Sequence, residues 1–378
     1  MLINNKVHKE VAMSCEQTIH GKIIYGPEAE VIEGYIVIED GIVKEVHEKK
    51  NDSGNIIAPC FVNAHTHIGD SVCKDPVLGN LHGHYVERDL SQLVQPPHGL
   101  KHRILNTTPH WKIVDAMMNS IQDMNDTGTY AFADFRESGT KGVLALKEAL
   151  ESSDVLARIF GRPANNVGEK NISRELEELL DKADGFGMSG TNDIDMEILK
   201  TARQYSLKMD KTFAVHAGES SRSDINKALS LDPDILIHMT QATQKDLQEV
   251  ADMDIPIVVC PRSNFITGVG MAPIVKMLDM GIKVAVGTDN VMLNSVSMFS
   301  EMEILSKVFG FEDRQVFIMC TLMGAAVLGL ENTGPIIERN NAKVMILNGN
   351  SSNLAGIKNP INSIVRRGRP DDILSVII

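Results

Sequence analysis

Ile56-Ile57-Ala58-Pro59-Cys60-Phe61-Val62-Asn63-Ala64-His65-Thr66-His67 is an apolar run that ends in two imidazoles two positions apart. The run predicts a buried strand over Ile56–Ala64, and alternate residues of a strand point the same way, so both rings face one point in space. Such a pair can chelate a cation, although a lone His-x-His is weak grounds for it. The pattern recurs downstream. His216 follows Phe213-Ala214-Val215, His238 follows Ile235-Leu236-Ile237, and Asp289 follows Val284 to Thr288. If these runs are strands of one parallel barrel, their C-terminal ends share a mouth and the five side chains converge there. Three histidines and a carboxylate suit zinc or ferrous iron with a position left open for water.

The rhythm of the middle of the chain supports that barrel. Eight strand candidates occur in series: Ile56–Ala64, Tyr130–Phe135, Leu156–Phe160, Gly185–Met188, Thr212–Val215, Ile235–Ile237, Ile255–Val259 and Val284–Val286. Amphipathic stretches fall between them, including Lys112–Met124, Val143–Leu150, Glu175–Lys182, Asp195–Ser206, Thr243–Ala251 and Pro273–Met280. Alternating β and α units predict an α/β fold, a (β/α)8 TIM-like barrel. Before it, Glu30–Val46 alternates apolar and polar residues around Asp40-Gly41, a hairpin signal. After it, Lys343–Leu347, Ser363–Val365 and Ile373–Ile378 are short strand-like runs. The Asp70–Thr108 stretch is too long for an ordinary βα loop and is expected to be a lid or a dimer contact.

Composition narrows the partners. In 378 residues, Lys and Arg total 37 against 50 Asp and Glu, a formal net charge of -13 without a long basic block. That argues against nucleic acid or an anionic membrane and for a small-molecule substrate. Five scattered cysteines without a C-x-x-C pair exclude a disulfide framework and a thiolate zinc cluster. With Met1–His20 polar and no stretch near the roughly 20 apolar residues that span a bilayer, the expectation is a soluble, cytoplasmic protein.

These residues resemble the amidohydrolase superfamily, in the branch with cytosine, guanine and nucleoside deaminases and triazine chlorohydrolases. The resemblance rests on Ala58 to His67, His216-Ala217-Gly218-Glu219, His238, Cys260-Pro261-Arg262-Ser263-Asn264 and Gly287-Thr288-Asp289. It implies a small β-sandwich built from both termini, with residues 1–55 and 337–378 flanking a barrel over 56–336. It also implies one divalent metal ion, zinc or else iron, held by His65, His67, His216 and Asp289. Binuclear members place a lysine at the end of the fourth strand, and Gly185 to Gly190 offers none. The nucleophile would be metal-bound hydroxide, with Asp289 taking the proton of the water and His238 holding the nucleophile. Glu219 matches the proton shuttle of the His-x-x-Glu element. Family members are often dimers or larger, so a homo-oligomer fits as well.

The resemblance implies deamination of an aminated nitrogen heterocycle, a nucleobase or nucleoside-like compound, with release of ammonia. Hydrolysis of a cyclic amide, as in imidazolonepropionase-like relatives, and hydrolytic dechlorination need the same nucleophile. A non-catalytic barrel is disfavoured because no ligand is missing. Candidate substrate contacts are Arg136 and Arg162, after the second and third strands, and Arg262 and Asn264, after the seventh. Each has an ordinary structural alternative, a salt bridge for arginine and a turn bond for asparagine. His82-Gly83-His84 lies in the long insertion and reads as a lid or surface feature. His98, His102 and His110 read as loop or helix-end residues, and Trp111 as a packing anchor.

Overall fold

The computed structural model describes residues 16–76, 79–81, 84–86, 89–163 and 172–378. Its centre is a curled parallel sheet. In sheet order the strands run Val284–Val286, Ile257–Val259, Ile235–His238, Thr212–Ala217, Gly185–Met188, Leu156–Gly161, Thr129–Arg136, Phe61–His67 and Asp289–Asn290. The strands at the two ends of that order are consecutive pieces of one chain run, 284–290, so the sheet curls round until both edges meet that run. Asp289 and Asn290 lie opposite Thr66 and His67. Asn63 fastens the junction, because its Nδ2 donates to Thr288 Oγ1 (2.8 Å) and its Oδ1 accepts from Thr288 N–H (3.0 Å). Gly287 is required there: a Cβ would stand 2.6 Å from the backbone nitrogen and oxygen of His65.

The strands are covered on both faces, which explains why they read as continuous apolar runs. Every residue of Phe61–His67 and of Thr129–Arg136 is buried. The helices outside bury one stripe each, as Leu176, Leu179 and Leu180 do in Ile172–Lys182. Two of them start at residues that accept backbone N–H bonds: Asp195 caps Met196–Met209, and Thr243 with Asp246 forms a capping box on Gln244–Asp252.

Both termini join one six-stranded sheet, in the order Ile373–Ile377, Val344–Asn348, Asn55–Pro59, Glu16–Tyr25, Glu30–Glu39 and Ile42–Glu48. The described residues place these strands in a single sheet, where two facing layers were expected. Its own apolar cluster includes Ile23, Ile36, Ile57 and Val344. The hairpin turn is Asp40-Gly41, with φ of 50° and 76°, as a two-residue turn between twisted strands needs.

Two expectations are corrected. The strand predicted over Ile56–Ala64 is two strands belonging to different sheets. The ladder partner changes at one peptide: Cys60 N–H bonds Lys343 O (3.0 Å), whereas Phe61 N–H bonds Gly128 O (2.8 Å). Asn55–Pro59 therefore pairs with the terminal sheet, and the central sheet begins at Phe61. Ser363–Val365 lies in a helix, Pro360–Arg367, capped by Asn359 and burying Ile361, Ile364 and Val365. Proline at the first helical position and i, i+3, i+4 spacing outweigh the β-propensity of three residues. Among the described residues, no helix is long and apolar enough to cross a membrane.

Candidate metal centre and active site

The exit of the first strand presents His65 and His67, the fifth presents His216, and the eighth leads to Asp289. The structure brings all four together. His65 Nε2 lies 3.3 Å from His216 Nε2 and 3.3 Å from Asp289 Oδ1, and His67 Nε2 lies 3.5 Å from the same oxygen. His65 is fully buried, and Asp289 is 2% exposed.

The outward nitrogens define what the inward ones carry. His67 Nδ1 lies 2.8 Å from Phe135 O, and His216 Nδ1 lies 2.7 Å from Met188 O. A backbone carbonyl only accepts, so each Nδ1 bears the proton and each Nε2 turns a lone pair inward. Burial and neighbouring positive charge lower His67 to about 3, and burial with the other imidazoles holds His216 well below its ordinary value. Both rings are neutral near pH 7. Burial opposes the charge on Asp289, but the hydrogen bond from His65 and the facing imidazoles hold it well below the usual carboxylate range. His67 and His216 thus turn acceptor atoms to a point that His65 Nε2 and the Asp289 carboxylate also face. A divalent metal ion fits that donor set.

Glu219, His238 and Asp289 form a second grouping on the cavity side. His238 Nε2 lies 3.6 Å from Glu219 Oε2, too far for a direct hydrogen bond. Burial pushes the Glu219 carboxyl well above its ordinary range, and the Asp289 charge pushes the same way. Burial takes His238 down to about 4. His238 and Asp289 have φ of 73° and 60°, a left-handed conformation costing about 1–3 kcal/mol each in non-glycine residues. That geometry turns both side chains at strand exits toward the shared cavity.

The four candidate substrate contacts are distributed differently. Arg162 lines the cavity, is 7% exposed and makes no ion pair with any described residue. Arg136 lies under Gly69 instead, paired with Asp134 (3.1 Å) and Glu137. Arg262 is committed to Glu301 (2.7 Å) and Ser295, and Asn264 Nδ2 donates to Thr240 Oγ1 (3.0 Å). The reason is local: Cys260-Pro261 starts a helix, Pro261–Ile266, whose turn brings Ser263 to the site. Ser263 Oγ donates to Asp289 Oδ2 at 2.6 Å.

The long insertion reaches the site. Its helix Leu100–Thr107 sends Lys101 into the cavity wall, 2.5 Å from Glu137 Oε1. Sequence reasoning missed Lys101, Glu137 and Ser263. The proline after Cys260 was a usable signal for the helix that places Ser263, whereas nothing local marks Lys101. His82-Gly83-His84 lies outside the residues whose side chains are described. His102 is buried against Val94 O, and His110 pairs with Glu148. Trp111 is 65% exposed on the first turn of its helix, so it is no packing anchor.

Comparison with known proteins agrees with this geometry. The Amidohydrolase family profile matches residues 56–378. An uncharacterized protein of Methanocaldococcus jannaschii is 33% identical over 94% of this chain and 96% of its own. The 5-methylthioadenosine/S-adenosylhomocysteine deaminase of Thermococcus kodakarensis is 24% identical over 95% of this chain and 91% of its own. The crystal structure of an adenosine deaminase from Xanthomonas campestris with bound zinc has a TM-score of 0.81, covering 96% of this chain and 91% of that one at 18% identity, which shows a shared fold. With a family match over most of its length and a metal-ligand cluster at the strand exits, this chain belongs to the amidohydrolase family and is a hydrolase.

Proposed function

We propose that this protein is a metal-dependent aminohydrolase that replaces the exocyclic amine of a nitrogen heterocycle with oxygen and releases ammonia. The observation that carries the reading is the meeting of the His65, His67 and His216 rings and Asp289 beside a half-buried Glu219 whose carboxyl is pushed well above its ordinary range. The curled sheet is read as a complete (β/α)8 barrel, and the terminal sheet as its small β domain, with boundaries near residues 60 and 337.

His65, His67, His216 and Asp289 would hold one zinc ion. When bound, zinc acts as a Lewis acid and brings the pKa of a water molecule to about 7. Asp289, oriented by Ser263, receives the proton that the attacking water gives up. His238 holds the incoming oxygen by a hydrogen bond. Glu219 gives its proton to the ring nitrogen next to the attacked carbon, which makes that carbon electrophilic; after taking up the proton that Asp289 holds it protonates the departing amine, and the hydroxyl proton of the adduct restores it as the carbonyl forms. The balance is water plus amine giving carbonyl compound plus ammonia. Arg162 lines the cavity with no ion-pair partner among the described residues and suits a carbonyl or anionic group of the substrate. Nucleobase or nucleoside-like amines head the candidates because relatives bear the names of adenosine-type deaminases.

Zinc-loaded protein is tested against aminated purines, pyrimidines, pterins and their nucleosides by ammonia release and product mass. Ammonia with an amine-to-oxygen exchange supports the proposal. A product heavier by one water, with no ammonia, identifies ring-amide hydrolysis instead. Silence across the panel contradicts deamination.

A further inference from the structure

Lys101 is 3% exposed, and taking an ammonium out of water costs several kcal/mol unless oxygen atoms replace the water. Three side chains do so here. Lys101 Nζ lies 2.5 Å from Glu137 Oε1, donates to Asn290 Oδ1 at 3.2 Å and stands 3.9 Å from Asp70 Oδ2. Two of these acceptors adjoin the metal centre. The oxygen of Glu137 that faces Lys101 is also 2.9 Å from His67 Nδ1, beside the Phe135 carbonyl that the same nitrogen meets at 2.8 Å. Asn290 directly follows Asp289 and lies opposite His67 where the two strand exits pair.

Glu137 has a competing partner. Its other oxygen is paired with Arg136, which Asp134 also engages. Without Lys101, the guanidinium is the only cation in contact with Glu137 among the described residues, and the carboxylate is free to swing away from His67. Orientation and basicity of a histidine ligand depend on what its other ring nitrogen meets.

We propose that Lys101 is a positioning residue: through Glu137 it sets the His67 ring, and through Asn290 it sets the strand exit that carries Asp289. The insertion thereby completes the metal centre from outside the barrel strands. This inference rests on the metal reading above.

The full chain carrying K101M, E137Q or both is compared with wild type by zinc affinity, in competition with a chromogenic chelator. The visible spectrum of the cobalt-loaded protein is recorded alongside. K101M is expected to weaken zinc binding about 10–100-fold, the usual range for partners of a metal ligand, and to shift the cobalt spectrum. Adding K101M to E137Q should cost little more than E137Q alone, because the two act through one contact. If K101M does not fold, E137Q alone is expected to show weaker zinc binding and an altered spectrum. Wild-type affinity and an unchanged spectrum in folded K101M or in E137Q would overturn the inference. A wild-type protein that binds no zinc or cobalt would fail earlier, at the metal reading.

Discussion

Two buried polar clusters sit side by side at the strand exits of the curled sheet and solve opposite electrostatic problems. In one, ring nitrogens of His65, His67 and His216 and the Asp289 carboxylate gather at a common centre. In the other, Lys101 and Arg136 alternate with Glu137, Asp134 and Asp70, and burial pushes Asp70 up to about 8, so that each cation faces a carboxyl oxygen. Ring nitrogens and a carboxylate gathered at one point suit a cation, while an alternating cluster is a closed support. Chemistry belongs to the first and geometry to the second.

The contrast breaks most visibly at the first cluster. H65A or D289A should lose the bound metal and reduce turnover to background while the protein stays folded, which metal analysis and circular dichroism would show. Glu219 tests whether proton transfer is separable from metal binding. E219Q should keep a full complement of metal and lower turnover by about 10²–10⁴-fold, the usual contribution of a general acid–base group. At the second cluster the expected loss is stability. R136M leaves Asp134 and Glu137 buried with a partner removed, so denaturant titration should show destabilisation of about 3–5 kcal/mol.

The smallest effect is a control away from both clusters. Asp246 is held at about 2 by its hydrogen bond from Arg222, despite its burial, and by Thr243. A carboxyl whose folded value is depressed adds stability above its unfolded value and loses that contribution as pH falls through the folded one. Wild type should therefore lose this contribution between pH 4 and pH 2, roughly, and D246N should lack that part of the acid dependence, with a capping loss of about 0.5–2 kcal/mol at neutral pH.

The first cluster was legible in the sequence because each member follows an apolar strand, and a parallel sheet gathers strand ends at one mouth. His65, His67, His216, His238 and Asp289 needed only that rule. The second cluster was hidden. Glu137 follows Arg136 at a strand exit, where a solvated pair is the ordinary reading, and Lys101 sits among the Pro, Gly and His of an insertion with no periodic frame. Beyond the seventh strand the chain passes directly into a helix, where Arg262 engages Glu301, Asn264 engages Thr240, and Ser263 reaches Asp289. In the fold, the eight strands carried their own signal. The switch of sheet at Cys60 did not, because an apolar run looks the same whichever ladder its N–H groups join.

The most direct test of the account is anomalous scattering at the zinc edge from crystals of the zinc-loaded protein. The account predicts one peak among the side chains of His65, His67, His216 and Asp289, with zinc–nitrogen distances of about 2.0–2.1 Å. A peak elsewhere, or those four side chains around an empty centre in zinc-saturated crystals, would contradict it.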